Sequence, residues 1–411
     1  MELFNIIAIL LSLSAIFSYI NYRYLRLPTT IGVMLISIVM SLFLVTGDAM
    51  GMGIKEQAKN IVDSIDFDVT LLHGMLSFLL FAGALHVKLE NLVEQKWIIG
   101  LTATIGVILS TFFIGTVMYF ILQAMNMPLT YAYCLVFGAL ISPTDPIAVL
   151  AILKEAKVPK SIETKITGES LFNDGVAVVV FLVIAGVATG EQQATFLGIT
   201  TLFVEEALGG VVMGLVLGYA AYYMLKSIDN YQTEILISLA VVSGGYSLAM
   251  ALHVSGPIAI VVAGLMIGNK GRILAMSETT SDHLDSFWEL IDEILNAVLF
   301  VLIGLQILSL DFSTAYILEG CIAIPIVLMS RFITVSIPVM ILQRYREFSP
   351  GVIKMMTWGG LRGGISVALA LSLPQQNGIT VMTYIVVLFS IVVQGLTVKK
   401  LIVSIQNQQQ N

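Results

Sequence analysis

Apolar runs of about twenty residues recur from one end of the chain to the other, parted by short polar segments. A run of about that length is what an α-helix needs to cross a hydrocarbon core. About thirteen are legible, centred near Leu13, Ile36, Leu79, Ser110, Leu140, Val178, Leu215, Ala240, Val262, Leu299, Ile326, Ser366 and Leu388. The pattern predicts an all-α polytopic membrane protein with no soluble domain between spans. The first run lacks a basic leader and a small-residue cleavage site and reads as a retained helix. The polar end "QNQQQN" predicts no large cytosolic regulatory tail.

Composition agrees. Of the 411 residues, 57% are hydrophobic and 11% charged, against roughly 25% charged in a soluble domain. Cationic residues give the orientation. With the N-terminus outside, sixteen of the 20 Lys and Arg fall in inward loops (Arg23 and Arg26; Lys88 and Lys96; Lys154, Lys157, Lys160 and Lys165; Lys226; Lys270 and Arg272; Arg344, Arg346 and Lys354; Lys399 and Lys400), and only Lys55 and Lys59 face outward. That bias predicts an N-out, C-in multi-pass membrane protein. The net charge of −7 comes without a basic stripe, which excludes nucleic acid as a partner. Cys134 and Cys321 lie mid-span and form neither a disulfide framework nor a metal site, and no cofactor is expected.

An ionisable group at the bilayer centre costs at least ~2.5 kcal/mol on insertion scales, so each is a functional candidate. Asp145, Glu169, Asp174, Arg331 and Arg362 lie deep, while Glu234, Asp285, Glu289, Asp292 and Glu293 sit nearer span ends or on one amphipathic helix. In "GESLFNDGVAVVVF" helical spacing puts Ser170, Asn173 and Asp174 on one face and turns Glu169 away. One face thus carries a hydroxyl, an amide and a carboxylate, oxygens suited to a small hard cation. The other carries a carboxylate in need of a cationic partner. In "GALISPTDPIAVL", Pro143 and Pro146 bracket Thr144 and Asp145 and deprive the carbonyls of Ala139 and Ser142 of helical donors, which predicts an unwound segment. "WGGLRGGISVALALSLP" disturbs a second span with four glycines around Arg362. Two interrupted spans, one per half, point to an inverted-repeat transporter.

These three motifs, in this order and at this span count, closely resemble the NhaP-type sodium/proton antiporters, the sodium/proton exchanger branch of the monovalent cation/proton antiporter superfamily. The resemblance covers nearly the whole chain. It implies a homodimer of thirteen-helix protomers, each with a six-helix core from about 97–188 and 312–404, two unwound helices crossing in that core, and a dimer or scaffold part from about 1–90 and 198–310. It implies that Asp174 binds ion and proton, that Ser170 is a side-chain ligand for Na⁺, Thr144 a backbone-carbonyl ligand, and Asp145 the neighbouring acid. Asn173 is similar to the Asn of an Asn-Asp pair in electroneutral members. Glu169 and Arg362 resemble a structural ion pair, with Arg331 a second core arginine. Where some relatives have an acid in the third span, this chain has Ala82.

The expected activity is exchange of Na⁺, or Li⁺, for H⁺ across the membrane, one for one, with cation and proton competing for Asp174; K⁺/H⁺ exchange is the alternative in the same fold. A cation channel needs a filter loop, and the sequence has none that reads as one. An intramembrane enzyme lacks a metal-ligand spacing or a Ser-His or Ser-Lys constellation. The acidic stripe Asp285, Glu289, Asp292, Glu293 reads as a solvated helix at the cytoplasmic mouth. His73, His86, His253 and His283 read as loop or span-end residues without a pH-sensing role, and the glycines from Gly209 to Gly218 as a packing surface.

Overall fold

The computed structural model describes residues 3–49, 55–63, 65, 67, 69–127, 129–146, 149–150, 152–153, 156, 158–190, 196–345, 347–373 and 377–410. Among them there are helices and no named strand. Without water in the bilayer every backbone amide must bond internally, which a helix achieves within its own segment.

The helices that matter for the site and its support are α1 (Leu3–Ile20), α2 (Thr29–Ala49), α3 (Leu76–His86), α4 (Gly106–Ala124), α5 (Tyr131–Ile141), α6 (Lys160–Thr189), α7 (Phe196–Lys226), α8 (Tyr231–Ala251), α9 (Gly256–Met266), α10 (Glu278–Leu305), α11 (Thr314–Leu342), α12 (Val352–Trp358), α13 (Gly364–Leu371), α14 (Asn377–Phe389) and α15 (Gly395–Gln410). Among the described residues, 10 continuous helical stretches are long and apolar enough to cross a membrane. Ten of the predicted centres fall on those stretches; Leu79, Leu140 and Ser366 fall on the shorter α3, α5 and α13. Polar residues start several of the helices where the sequence leaves the loop. Thr130, Asn230, Ser255, Ser277 and Ser313 each accept a backbone N–H from the first turn, of α5, α8, α9, α10 and α11 respectively.

Two sets of helices hold the polar centre. In one, α4 packs on α5 and α11, α5 on α6, and α11 on α14. In the other, α7 and α8 pack on α9, α9 on α3, and α10 on α2 and α3. A core of Phe81, Ala82, Leu85, Tyr246, Ile260 and Trp288 ties the second set together. Ala82, 1% exposed, is thus buried in the apolar cluster that holds Phe81 and Trp288, and its side chain brings no oxygen to the polar centre. The glycines of α7 do act as a packing surface: a Cβ on Gly214 would stand 2.4 Å from the Ala259 carbonyl oxygen. Backbones this close exclude any larger residue.

Proline alone does not decide where a span breaks. Pro325 and Pro338 lie inside α11, which stays continuous, as membrane helices permit when neighbours satisfy the freed carbonyls. The pair Pro143 and Pro146 does end α5, and the chain from Ser142 to Pro146 is not helical.

Candidate functional site

The unwound segment after α5 meets the loop between α12 and α13. Asp145 and Leu361 form an isolated antiparallel bridge, with the Asp145 N–H donating to the Leu361 carbonyl at 2.7 Å. Two interrupted helices therefore cross there, as the prolines of one span and the glycines of the other predict. Beyond the crossing the Leu150 N–H donates to the Pro146 carbonyl at 2.7 Å, so Pro146 stands at the start of a new helical turn, where its missing N–H costs nothing.

Each break leaves carbonyls without donors, and an arginine supplies them at both. Arg362 Nη1 donates to the carbonyls of Ser142 at 2.5 Å and Pro143 at 2.8 Å. Of the two carbonyls that the prolines strip of helical donors, Ser142 thus finds a guanidinium, and Ala139 accepts from the Ser142 N–H at 3.3 Å. Arg331 Nε and Nη2 donate to the Met356 carbonyl, at 3.3 and 3.1 Å, in the last turn of α12. A cation at the C-terminal end of a helix also opposes the negative end of its dipole.

The ion pair is a correction to the expectation. Glu169, only 1% exposed, is held by Arg331 and not by Arg362. Arg331 Nη1 donates to Glu169 Oε1 and Nη2 to Oε2, the latter at 2.8 Å. The fork-to-carboxylate geometry is the strong one for this pair. Arg362 is already engaged by the carbonyls of the break, and its own N–H donates to Ser390 Oγ at 2.9 Å. Ser390 passes that bond to Gln394 Oε1 at 2.7 Å, and Gln394 Nε2 reaches the Trp358 carbonyl at 3.1 Å. Ser390 and Gln394 support the second break and were not singled out from sequence, although two polar residues four apart inside an apolar span are a signal for it. Arg331, Gly360, Arg362 and Gln394 border a cavity of about 10 Å³, room for one water at most.

The other face of α6 carries the oxygens. The Ser170 hydroxyl donates to the Thr144 carbonyl. Asn173 Nδ2 donates to Thr144 Oγ1 at 2.8 Å, and the Thr144 N–H approaches Asn173 Oδ1 at 3.4 Å. Asn173 is both donor and acceptor to one residue, which an ionised carboxylate cannot be; its place is to hold the unwound segment on α6. Asp174, one residue on, is 8% exposed, and no described residue hydrogen-bonds its carboxylate. The charge that bears on it is that of Asp145. The structure therefore brings Thr144, Asp145, Ser170, Asn173 and Asp174 together and leaves one buried carboxylate without a donor.

Glycine at 363 is required by this crossing. A Cβ there would lie 2.1 Å from Asp145 Oδ2 and 2.5 Å from Asp145 Cβ. Gly363→Ala is expected to displace Asp145 and to reduce transport roughly five- to 150-fold, since overpacking of this kind costs roughly 1–3 kcal/mol. Gly244→Ala, with nothing within 4 Å of the new methyl, is the control; equal transport in the two variants refutes the requirement.

Several other sequence candidates lie apart. Asp285 is paired with Arg272, and His86 Nδ1 lies 3.8 Å from the same carboxylate. Glu289 and Glu293 are exposed while Asp292 is partly buried, so the acidic stripe is not uniformly solvated. His283 stacks on Tyr231 at 4.3 Å between ring centroids. Lys154, Lys157 and Arg346, and the side chains of Lys55 and His73, lie outside the described residues.

A family model described as the sodium/hydrogen exchanger, transmembrane, matches residues 10–403. The chain is 50% identical over 406 residues to the Na⁺/H⁺ antiporter NhaP of Pseudomonas aeruginosa, covering 97% of this chain and 96% of that one. It is 36% identical to the Na⁺/H⁺ antiporter NhaH of Halobacillus dabanensis, over 92% of each. In three dimensions it resembles the sodium proton antiporter MjNhaP1 of Methanocaldococcus jannaschii, with a TM-score of 0.77 at 19% identity, covering 98% of this chain and 99% of that one. The crossed, arginine-capped breaks thus lie in a known antiporter fold, and the chain, matched over nearly its whole length, belongs to the sodium/hydrogen exchanger family.

Proposed function

We propose that this protein exchanges Na⁺, or Li⁺, for H⁺ across the inner membrane, with cation and proton competing for Asp174. The observation that carries the reading is the undonated, buried Asp174 carboxylate beside the unwound oxygens of Thr144 and the hydroxyl of Ser170. A bare carboxylate away from water is costly. A cation or a proton relieves that cost, and only one of them fits at a time. The loaded core then carries the same charge in both directions, and an empty one does not cross cheaply.

A bound Na⁺ would take the Asp174 carboxylate, the Ser170 hydroxyl oxygen and the Thr144 carbonyl as ligands, the hydroxyl hydrogen turning away from the carbonyl it now meets. Asp145 sits beside them. With Asn173 neutral, one titrating carboxylate supports one proton per cation, and so electroneutral exchange. Movement would be a rocking of the core, about 97–188 and 312–404, against a scaffold, about 1–90 and 198–310. Thirteen spans, an outward N-terminus, an inward C-terminus and a homodimer through the scaffold complete the proposal. The uneven Lys and Arg distribution supports the orientation.

The test is dequenching of a pH dye in acid-loaded proteoliposomes on addition of Na⁺, Li⁺ or K⁺, with and without an ionophore that clamps the membrane potential. Dequenching by Na⁺ that ignores the clamp is expected. Response to K⁺ alone makes the protein a K⁺/H⁺ antiporter, and dependence on the clamp removes the one-for-one stoichiometry.

A further inference from the structure

Asn296 is 3% exposed, and its Oδ1 has no hydrogen-bond partner among the described residues. A buried acceptor left unmatched costs roughly 1–3 kcal/mol, so its retention asks for an explanation such as an ion. Its amide N–H₂ donates to the carboxylate of Asp292, one helical turn earlier on α10, and Oδ1 is the atom left over. Leu299 of α10 packs where a Cβ on Gly364 would lie and Asp145 Oδ2 where a Cβ on Gly363 would lie, so α10 runs beside the Asp145 carboxylate, whose charge bears on both Asp292 and Asp174.

Three carboxylates therefore follow one another from α10 to α6 with a free carbonyl oxygen beside the first. The register of α10 against the crossing is tight, because Leu299, three residues beyond Asn296, fills the space where a Cβ on Gly364 would lie 2.6 Å away. The rest of the acidic stripe is otherwise occupied or turned out: Asp285 is paired with Arg272, and Glu289 and Glu293 are exposed.

We propose that Asp292 and Asn296 form a docking site for the transported monovalent cation on its way to Asp174, shared across the core–scaffold boundary with Asp145. The inference rests on the cation-exchange reading above. When a cation displaces the amide N–H from Asp292 and the amide turns its oxygen in, a carboxylate and an amide oxygen one turn apart offer it one charged and one neutral ligand, and a cation there screens the repulsion between Asp292 and Asp145. Because α10 belongs to the scaffold and Asp145 to the core, the site is complete only when the core stands as it does in this structure. It serves one face of the membrane, the one reached along the acidic half of α10.

The experiment measures the apparent KM for Na⁺ in everted and right-side-out membrane vesicles from cells lacking other Na⁺/H⁺ antiporters. It compares wild type, Asn296→Leu, Asn296→Asp and Asp292→Asn. In everted vesicles, which present the cytoplasmic face, Asn296→Leu and Asp292→Asn are expected to raise KM about tenfold, the scale of one lost polar ligand. Maximal rate should stay within about twofold, as loss of binding alone requires. KM in right-side-out vesicles is expected to be unchanged, and Asn296→Asp, which restores an oxygen, to return KM to the wild-type value or below. Unchanged KM in everted vesicles, or an equal rise on both faces, overturns the site. So does a fall in maximal rate at constant KM, which marks a packing role. Should Asn296→Leu fail to fold, Asp292→Asn carries the same test from a partly exposed position. Absence of exchange by the wild type removes the proposed function and this site with it, whereas normal wild-type exchange with unmoved KM values removes the site alone.

Discussion

Asp174→Asn is expected to bring cation-driven proton movement in proteoliposomes down to that of vesicles without protein. The substitution keeps shape and removes charge. Taking one partner from a buried charge pair costs roughly 3–5 kcal/mol, which in a rate is about two to four powers of ten. The bound cation loses its single anionic contact on α6, and the proton loses its acceptor. Fold should survive, because no described hydrogen bond depends on the Asp174 carboxylate. Wild-type thermal stability in detergent together with lost exchange is therefore the expected result. Exchange above about a tenth of wild type, where less than ~1.4 kcal/mol has been lost, places the ion elsewhere.

The second large effect is on folding. Either Glu169→Gln or Arg331→Met is expected to lower stability by roughly 3–5 kcal/mol, because each leaves an uncompensated charge in a buried place. The double variant should recover much of that loss, and the recovery is the coupling energy of the pair. It will not be complete, since the Met356 carbonyl also loses its donor. A parallel cycle with Arg362→Met should show little coupling to Glu169, because Arg362 is bound to the Ser142 and Pro143 carbonyls instead. Unfolding midpoints and yields of monodisperse protein read both cycles. Coupling of Glu169 to Arg362 and not to Arg331 would falsify the pairing described here.

The capping arginines also explain how an unwound backbone persists at membrane depth. An orphan carbonyl in a dry interior is costly, and water cannot be relied on to fill it. At both breaks a guanidinium does so with fixed, multiple donors, as a lysine's compact ammonium would not in the same geometry. The two arginines are thus tied to opposite tasks from those a simple charge inventory suggests. Arg362 serves backbone, and Arg331 serves both backbone and Glu169.

Much of the site was legible because its signals are local. Pro143 and Pro146 act on carbonyls four residues away, and the shared face of Ser170, Asn173 and Asp174 follows from 3.6 residues per turn. Glu169 on the opposite face was legible for the same reason. Which arginine it meets was not. Arg331 and Arg362 are both deep, both cationic and both far from Glu169 in sequence, and periodicity says nothing about distance between segments 162 and more residues apart. Asn296 was passed over because one amide near an apolar run looks ordinary until its acceptor is seen to be unmatched.

The sequence by itself determined that the chain crosses a membrane many times, where two spans are interrupted, which charges are forced into the bilayer, and that Ser170, Asn173 and Asp174 share one face of α6. Each of these follows from transfer free energies or backbone dihedrals within one window of chain. Only the tertiary structure decided that Asp145 bonds Leu361 across the two breaks, that Arg331 closes on Glu169 while Arg362 caps the Ser142 and Pro143 carbonyls, and that Ala82 is spent on apolar packing. Those pairings depend on how every helix packs at once, and the burial that selects one partner over another exists only after the helices have met.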